Sequence, residues 1–269
     1  MQHVCSVDCQ TQQQKHFMNR TTFSLITLSV ISILIVWAFA TGSPEVQKFS
    51  ALTLLPISVL AIFIFRIPIK SLFPKNPLRN YFIAISYPLV IMIVLTALTF
   101  VASEFATKDE SIARVAMVIS INSFFGILAA LLTEELFFRG VCWHLLEKQH
   151  YSHWRINLIT SIIFTAWHLP IGFYEFGAFD KAHLPVYFLN AFLLSINWGI
   201  LRAASGSILI TSVCHALWNG LTYKLFGFGD KSGFFLSSFY TFDAERGWLG
   251  IPLNLISAVV LYRILKKMN

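Results

Sequence analysis

Three apolar stretches of this chain carry ionisable or amide side chains at spacings that place them on shared helix faces. The first is 133-TEELFFRG-140. Neighbours on an α-helix point about 100° apart, so Glu134 and Glu135 face different directions, whereas Glu135 and Arg139 share a face at i, i+4 and can pair. Arg139 then neutralises Glu135, which leaves Glu134 as the freer carboxylate, suited to general-base work. The second stretch, 164-FTAWH-168, brings His168, and the third, 215-HALWN-219, stacks His215 and Asn219 on one face. Taken singly, the first set reads equally well as an ion-pair cluster locking helices together, His168 reads better as a buried packing residue, and the third set reads slightly better as an interhelical hydrogen-bond clamp. Together they bring acid-base groups from three helices to similar depths. A carboxylate, two imidazoles and one amide suffice for hydrolysis: the carboxylate activates water, and His and Asn stabilise the oxyanion. Glu134, His168 and His215 also form a donor set of the kind that holds zinc, and spacing leaves both chemistries open. The local zinc-peptidase signature H-E-x-x-H and the serine elbow G-x-S-x-G are both missing from the sequence.

The elements that must position these groups are membrane helices. Of 269 residues, 56% are hydrophobic and 12% charged, and the mean hydropathy is +0.68. Such a chain has too little polar surface to cover itself in water. Apolar runs long enough to span a bilayer fall near 21–41, 50–66, 81–103, 116–146, 156–173, 184–201, 207–226 and 247–265, with Pro56 a candidate kink in the second. The expected fold class is therefore all-α, a polytopic membrane bundle of about eight transmembrane helices. Residues 1–20 read as a polar, disordered tail and 21–269 as one domain. Buried ionisable groups in such helices cost about 2.5–3.5 kcal/mol each near the centre, so they require partners or a task. Asn190 and Asn197, seven apart, read as hydrogen-bonding contacts between helices.

Lys and Arg set the orientation. They concentrate in alternate connections, most densely in 66-RIPIKSLFPKNPLR-79, so both termini are expected on the cytosolic side. This pattern accounts for the net charge of +7 without nucleic acid as a partner; membrane lipid is the expected surroundings. Residues 227–246, rich in Gly, Phe and Ser, form either an outside loop or a re-entrant stretch. Cys142 and Cys214 fall in apolar helices and act as small hydrophobes, while Cys5 and Cys9 sit in the tail beside His3.

Glu134-Glu135-x-x-x-Arg139, Phe164-x-x-x-His168 and His215-x-x-x-Asn219, in that order on separate helices, resemble the motifs of the intramembrane CAAX-processing and bacteriocin-processing (CPBP, or Abi) peptidases. The resemblance covers about residues 116–225, the motif-bearing core. It implies an eight-helix endopeptidase acting inside a membrane cavity on a membrane-bound or lipidated peptide. By that resemblance Glu134 is the general base, His168 helps hold the water, and His215 with Asn219 stabilises the oxyanion. Glu135 and Arg139 are supporting residues. The family is described both as metal-dependent and as glutamate-based; the metal-free form is expected here, because Asn219 is a poor zinc ligand and a good oxyanion donor. Zinc on Glu134, His168 and His215 is the alternative. The same family includes non-catalytic immunity and scaffold proteins. Short tails and small size resemble bacterial members of the cytoplasmic membrane, for which a prenylated substrate is not expected.

Overall fold

A computed structural model describes residues 7–42, 49–102, 106–174, 183–228, 231–236 and 239–267. Helix α1 runs Val7–Ala40; a short 3₁₀ turn, Ala51–Thr53, leads into α2, Leu54–Phe65. Then come α3, Leu78–Val101, and α4, Ile112–Leu132. A π-helical segment, Glu135–Cys142, passes into α5, Trp143–Glu147. The remaining helices are α6, His153–Tyr174; α7, Leu184–Ser205; α8, Ile208–Leu225; α9, Phe239–Phe242; and α10, Gly250–Lys266. Between α8 and α9, Gly227–Phe228 and Lys231–Ser232 pair as a minimal antiparallel hairpin, Gly227 opposite Ser232.

This is the expected helical membrane bundle. Among the described residues, five helices are long and apolar enough to cross a membrane: Thr21–Ala40, Leu78–Val101, Ile112–Glu147, His153–Phe173 and Leu184–Ser205. The other three expected spans are occupied by α2, α8 and α10, which are shorter or more polar. Large apolar side chains such as Phe63 and Phe124 point outward, 82% and 71% exposed, while Glu135, Arg139, Asn190, Asn197 and Asn254 are buried. That inversion suits a lipid solvent. Residues 1–6, with Cys5, lie outside the described residues, as do the side chains of 7–20, Cys9 among them; the backbone of 7–20, expected as tail, begins α1.

Two details differ from the sequence expectation. Pro56 does not kink α2, because the helix begins at Leu54 and the proline falls in its first turn, where its missing N–H has no helical acceptor to lose. The expected continuous helix 116–146 is interrupted: Thr133, at φ −116°, ψ −96°, leaves the helical region, and a wider i→i+5 turn follows. Local chemistry sets the other ends. Ser111 caps α4 by accepting from the Arg114 N–H, Ser207 caps α8 by accepting from the Leu209 N–H, and Gly206 at φ 67° stops α7.

Helix α7 is the hub, packing against α6, α8 and α10. Asn157 of α6 donates to the Ile196 carbonyl at 3.0 Å. Gly199 permits this approach, since a Cβ there would lie 1.7 Å from Asn157 Oδ1. Asn190 and Asn197 behave as the sequence suggests. Asn190 donates to the Gly247 carbonyl and accepts from Asn254, and Asn197 donates to Tyr87 Oη and to the Asn254 carbonyl.

Candidate active site

The π-helical segment sets the site's frame. Glu135 pairs with Arg139 as the i, i+4 spacing predicts, Arg139 Nη1 to Glu135 Oε1 being 3.4 Å. The same Glu135 oxygen accepts from His215 Nδ1 at 2.9 Å, across 80 residues of sequence. Arg139 also donates through Nη2 to Ser195 Oγ, at 2.8 Å, and to the Ser195 carbonyl. Its own carbonyl accepts from Arg202 Nε at 2.9 Å. The segment is thus tied to α7 and α8 by buried, charge-assisted bonds. A bundle interior tolerates these charges because each has a partner.

Glu134, one residue earlier, turns elsewhere. Its Oε2 is 3.8 Å from His168 Nε2 and 3.9 Å from His215 Nε2. Both separations exceed a direct hydrogen bond and suit a bridging water. Glu134 Oε2 is buried and has no hydrogen-bond partner among the described residues. Each imidazole is oriented through its other nitrogen. His168 Nδ1 lies 2.9 Å from the Phe164 carbonyl, and because a carbonyl can only accept, that nitrogen carries the proton. The Glu135 carboxylate fixes His215 in the same way, so both Nε2 atoms face Glu134.

Aromatic rings hold the imidazoles. Trp198 stacks on His215 with centroids 3.9 Å apart and planes 19° apart. Phe164 packs against His168 at 4.3 Å, and the Arg139 guanidinium lies 4.8 Å from the Phe164 ring centre. Phe164 therefore serves two site residues through its ring and its carbonyl. Glu134, His168, His215 and Asn219 all line one cavity of about 50 Å³, room for a few waters. The structure thus gathers the four residues proposed from sequence as reacting groups, while Glu135 and Arg139 stand behind them. Asn190 and Asn197 do not line it.

Sequence reasoning missed Glu245, which lines the same cavity. It sits in the connection between α8 and α10, where Asp243 Oδ1 accepts from the Glu245 and Arg246 N–H groups and folds the turn. Arg246 pairs with Asp243 and donates to the Gly227 carbonyl. Glu245 itself accepts from Trp218 Nε1 at 2.9 Å. Burial, and after it the Asp243 charge, pushes its carboxyl up to about 7. The one sequence signal was the composition of 227–246, which left a re-entrant stretch open beside an outside loop; no spacing rule pointed to position 245.

Tetrahedral zinc with bonds of 2.0–2.1 Å places its ligands about 3.3–3.4 Å apart. The separations of 3.8 and 3.9 Å from Glu134 are wider, and no group of three candidate ligands among the described residues is arranged to hold a metal ion. As they stand, these donors do not form a zinc site.

Residues 116–221 match the family described as type II CAAX prenyl endopeptidase Rce1-like. This agrees with the resemblance to CPBP peptidases and takes in every motif residue from Glu134 to Asn219, but not Glu245. No curated protein matches the chain.

Proposed function

We propose that the chain is an intramembrane endopeptidase that hydrolyses a peptide bond of a membrane-associated or lipidated substrate, in a bacterial cytoplasmic membrane. The observation that carries this reading is Glu134 Oε2: buried, unpartnered among the described residues, and at water-bridging distance from two oriented imidazoles. The Rce1-like match over the same residues supports the reaction class.

The chemistry follows from the donors and acceptors. Water held between Glu134 and the His168 Nε2 lone pair gives one proton to Glu134 as its oxygen attacks the scissile carbonyl carbon. The developing oxyanion accepts from the Asn219 amide and from Nε2–H of protonated His215. The Glu135 carboxylate, held by Arg139, stabilises that imidazolium through Nδ1–H, the role an orienting carboxylate plays behind any catalytic histidine. Glu134 then returns its proton to the leaving amine nitrogen as the C–N bond breaks. The products are a free acid and a free amine, and no metal enters any step.

Purified protein in lipid, incubated with prenylated and unmodified membrane peptides, tests this. Wild type is expected to cleave, with Glu134→Ala and His168→Ala inactive. Equal cleavage by all three overturns the reading. Activity that survives chelation supports the metal-free form; loss on chelation with rescue by zinc overturns it.

One observation favours a second reading, a non-catalytic immunity or scaffold protein. The Glu135, Arg139, Ser195 and His215 network already serves as a helix–helix contact. Glu134 separates the two, because it adds nothing to that network. In a scaffold, Glu134→Gln preserves function.

A further inference from the structure

A second and larger cavity, of about 410 Å³, lies outside the site, where the first turns of α6 meet the last turns of α7 and α10. It exists because α7 presents Ala203 and Ala204 there, side chains too small to fill the gap between the neighbouring helices. Its walls are Trp154, Ile200, Tyr262 and Leu265, and its polar edge is His153 and Lys266. The Lys266 ammonium is held 5.7 Å from the Tyr262 ring centre, and His153 Nε2 lies 3.5 Å from Glu147 Oε1.

The cleft opens at one end of the bundle. That end also gathers Arg66, whose helix end meets Lys148 through a bond from Lys148 Nζ to the Phe65 carbonyl. Arg155, Arg263 and Lys267 lie on the same helix ends. Among the described residues of these turns and their connections, Glu147 is the one acidic side chain. An anionic group is therefore favoured over a cationic or zwitterionic one. The walls favour a hydrocarbon chain over a peptide, because the wall amide, Asn157, is already engaged with the Ile196 carbonyl and Ser161. An extended peptide would bury its backbone N–H and C=O groups without partners.

We propose that this cleft binds one anionic phospholipid, an acyl chain lying against Trp154, Ile200 and Leu265 and the phosphate meeting Lys266 and His153. Charge complementarity at the edge and apolar walls behind it specify an amphiphile with an anionic head. The assignment stands whether or not the chain is a peptidase.

The test uses the full chain in phosphatidylcholine nanodiscs doped with phosphatidylglycerol, with retained lipid counted by native mass spectrometry after release. Wild type is expected to retain one phosphatidylglycerol in preference to phosphatidylcholine. Lys266→Gln should weaken retention about five-fold. Ala203→Trp, which fills the cleft without changing charge, should abolish it; if that variant does not fold, Ala204→Leu takes its place. Lys108→Gln, at the opposite end of the bundle, should leave retention unchanged. No retention by wild type, equal retention of both lipids, or a loss in Lys108→Gln as large as in Lys266→Gln overturns the proposal. So does unchanged retention in the filled variant.

Discussion

The two halves of the span Ile112–Glu147 have similar apolar backgrounds and opposite surroundings. In α4 only Val115 and Ala130 are buried. In the π-helical segment every residue from Glu135 to Cys142 is buried. The first half meets α8 through small residues, Gly126 against Ala216 and Ser123 against Gly220, and leaves large side chains such as Phe124 and Phe125 exposed on its other faces. The second half carries Glu135 and Arg139, whose charges require partners that lipid does not supply. Hydropathy thus marks a span, and the few ionisable groups decide which part of it faces the bundle. The wider turn accompanies that change, in keeping with the frequent placement of π-bulges at functional sites.

The sharpest way to break this contrast is to remove a charge from the buried half. Arg139→Leu leaves Glu135 buried and uncompensated, and is expected to cost about 3–5 kcal/mol, read as loss of folded protein in thermal unfolding and of any cleavage. Next, Glu134→Gln should lower cleavage by at least about 10²-fold while the unfolding temperature stays near that of wild type; a matching loss of stability would make Glu134 a structural residue. Gly199→Ala pushes a methyl into Asn157 and should cost about 1–3 kcal/mol, measured by the same unfolding assay.

Glu245 gives a pH-dependent effect. Its carboxyl titrates at about 7 when folded, above the ordinary 4.3 of an unfolded chain. The folded state therefore keeps a proton that the unfolded state has released. The stabilising contribution is complete below the unfolded value and is lost as pH rises through about 7. Glu245→Gln should thus raise stability relative to wild type at pH 8, by roughly 1–3 kcal/mol, and much less at pH 5. The smallest effect belongs to the lipid-facing half: Phe124→Leu should change stability by under about 0.5 kcal/mol. A large loss there would mean that the Phe124 side chain packs against protein and not lipid.

Much of the fold was legible because lipid imposes a simple rule. Long apolar runs become helices, so the expected segments coincide with the observed ones to within a few residues over most of the chain. Asn190 and Asn197 were legible for the related reason that amides in such helices must bond across to a neighbour. The Glu135–Arg139 pair was legible because i, i+4 is a local relation. The bond from His215 to Glu135 was not, since 80 residues separate them and no periodicity encodes which face of α8 meets which face of the π segment. Trp198 and Ser195 were hidden for the same reason, being ordinary residues of an apolar helix until packing brings them against His215 and Arg139.

By itself the sequence determined a helical membrane chain and the residues able to do chemistry in it, because composition, span length and i, i+4 spacing are properties of the local chain. Only the tertiary structure decided that Glu134 and not Glu135 faces the cavity, that both histidines are oriented through Nδ1, and that Glu245 enters from a loop. Those outcomes depend on which helix faces meet, and that is fixed by long-range packing around α7.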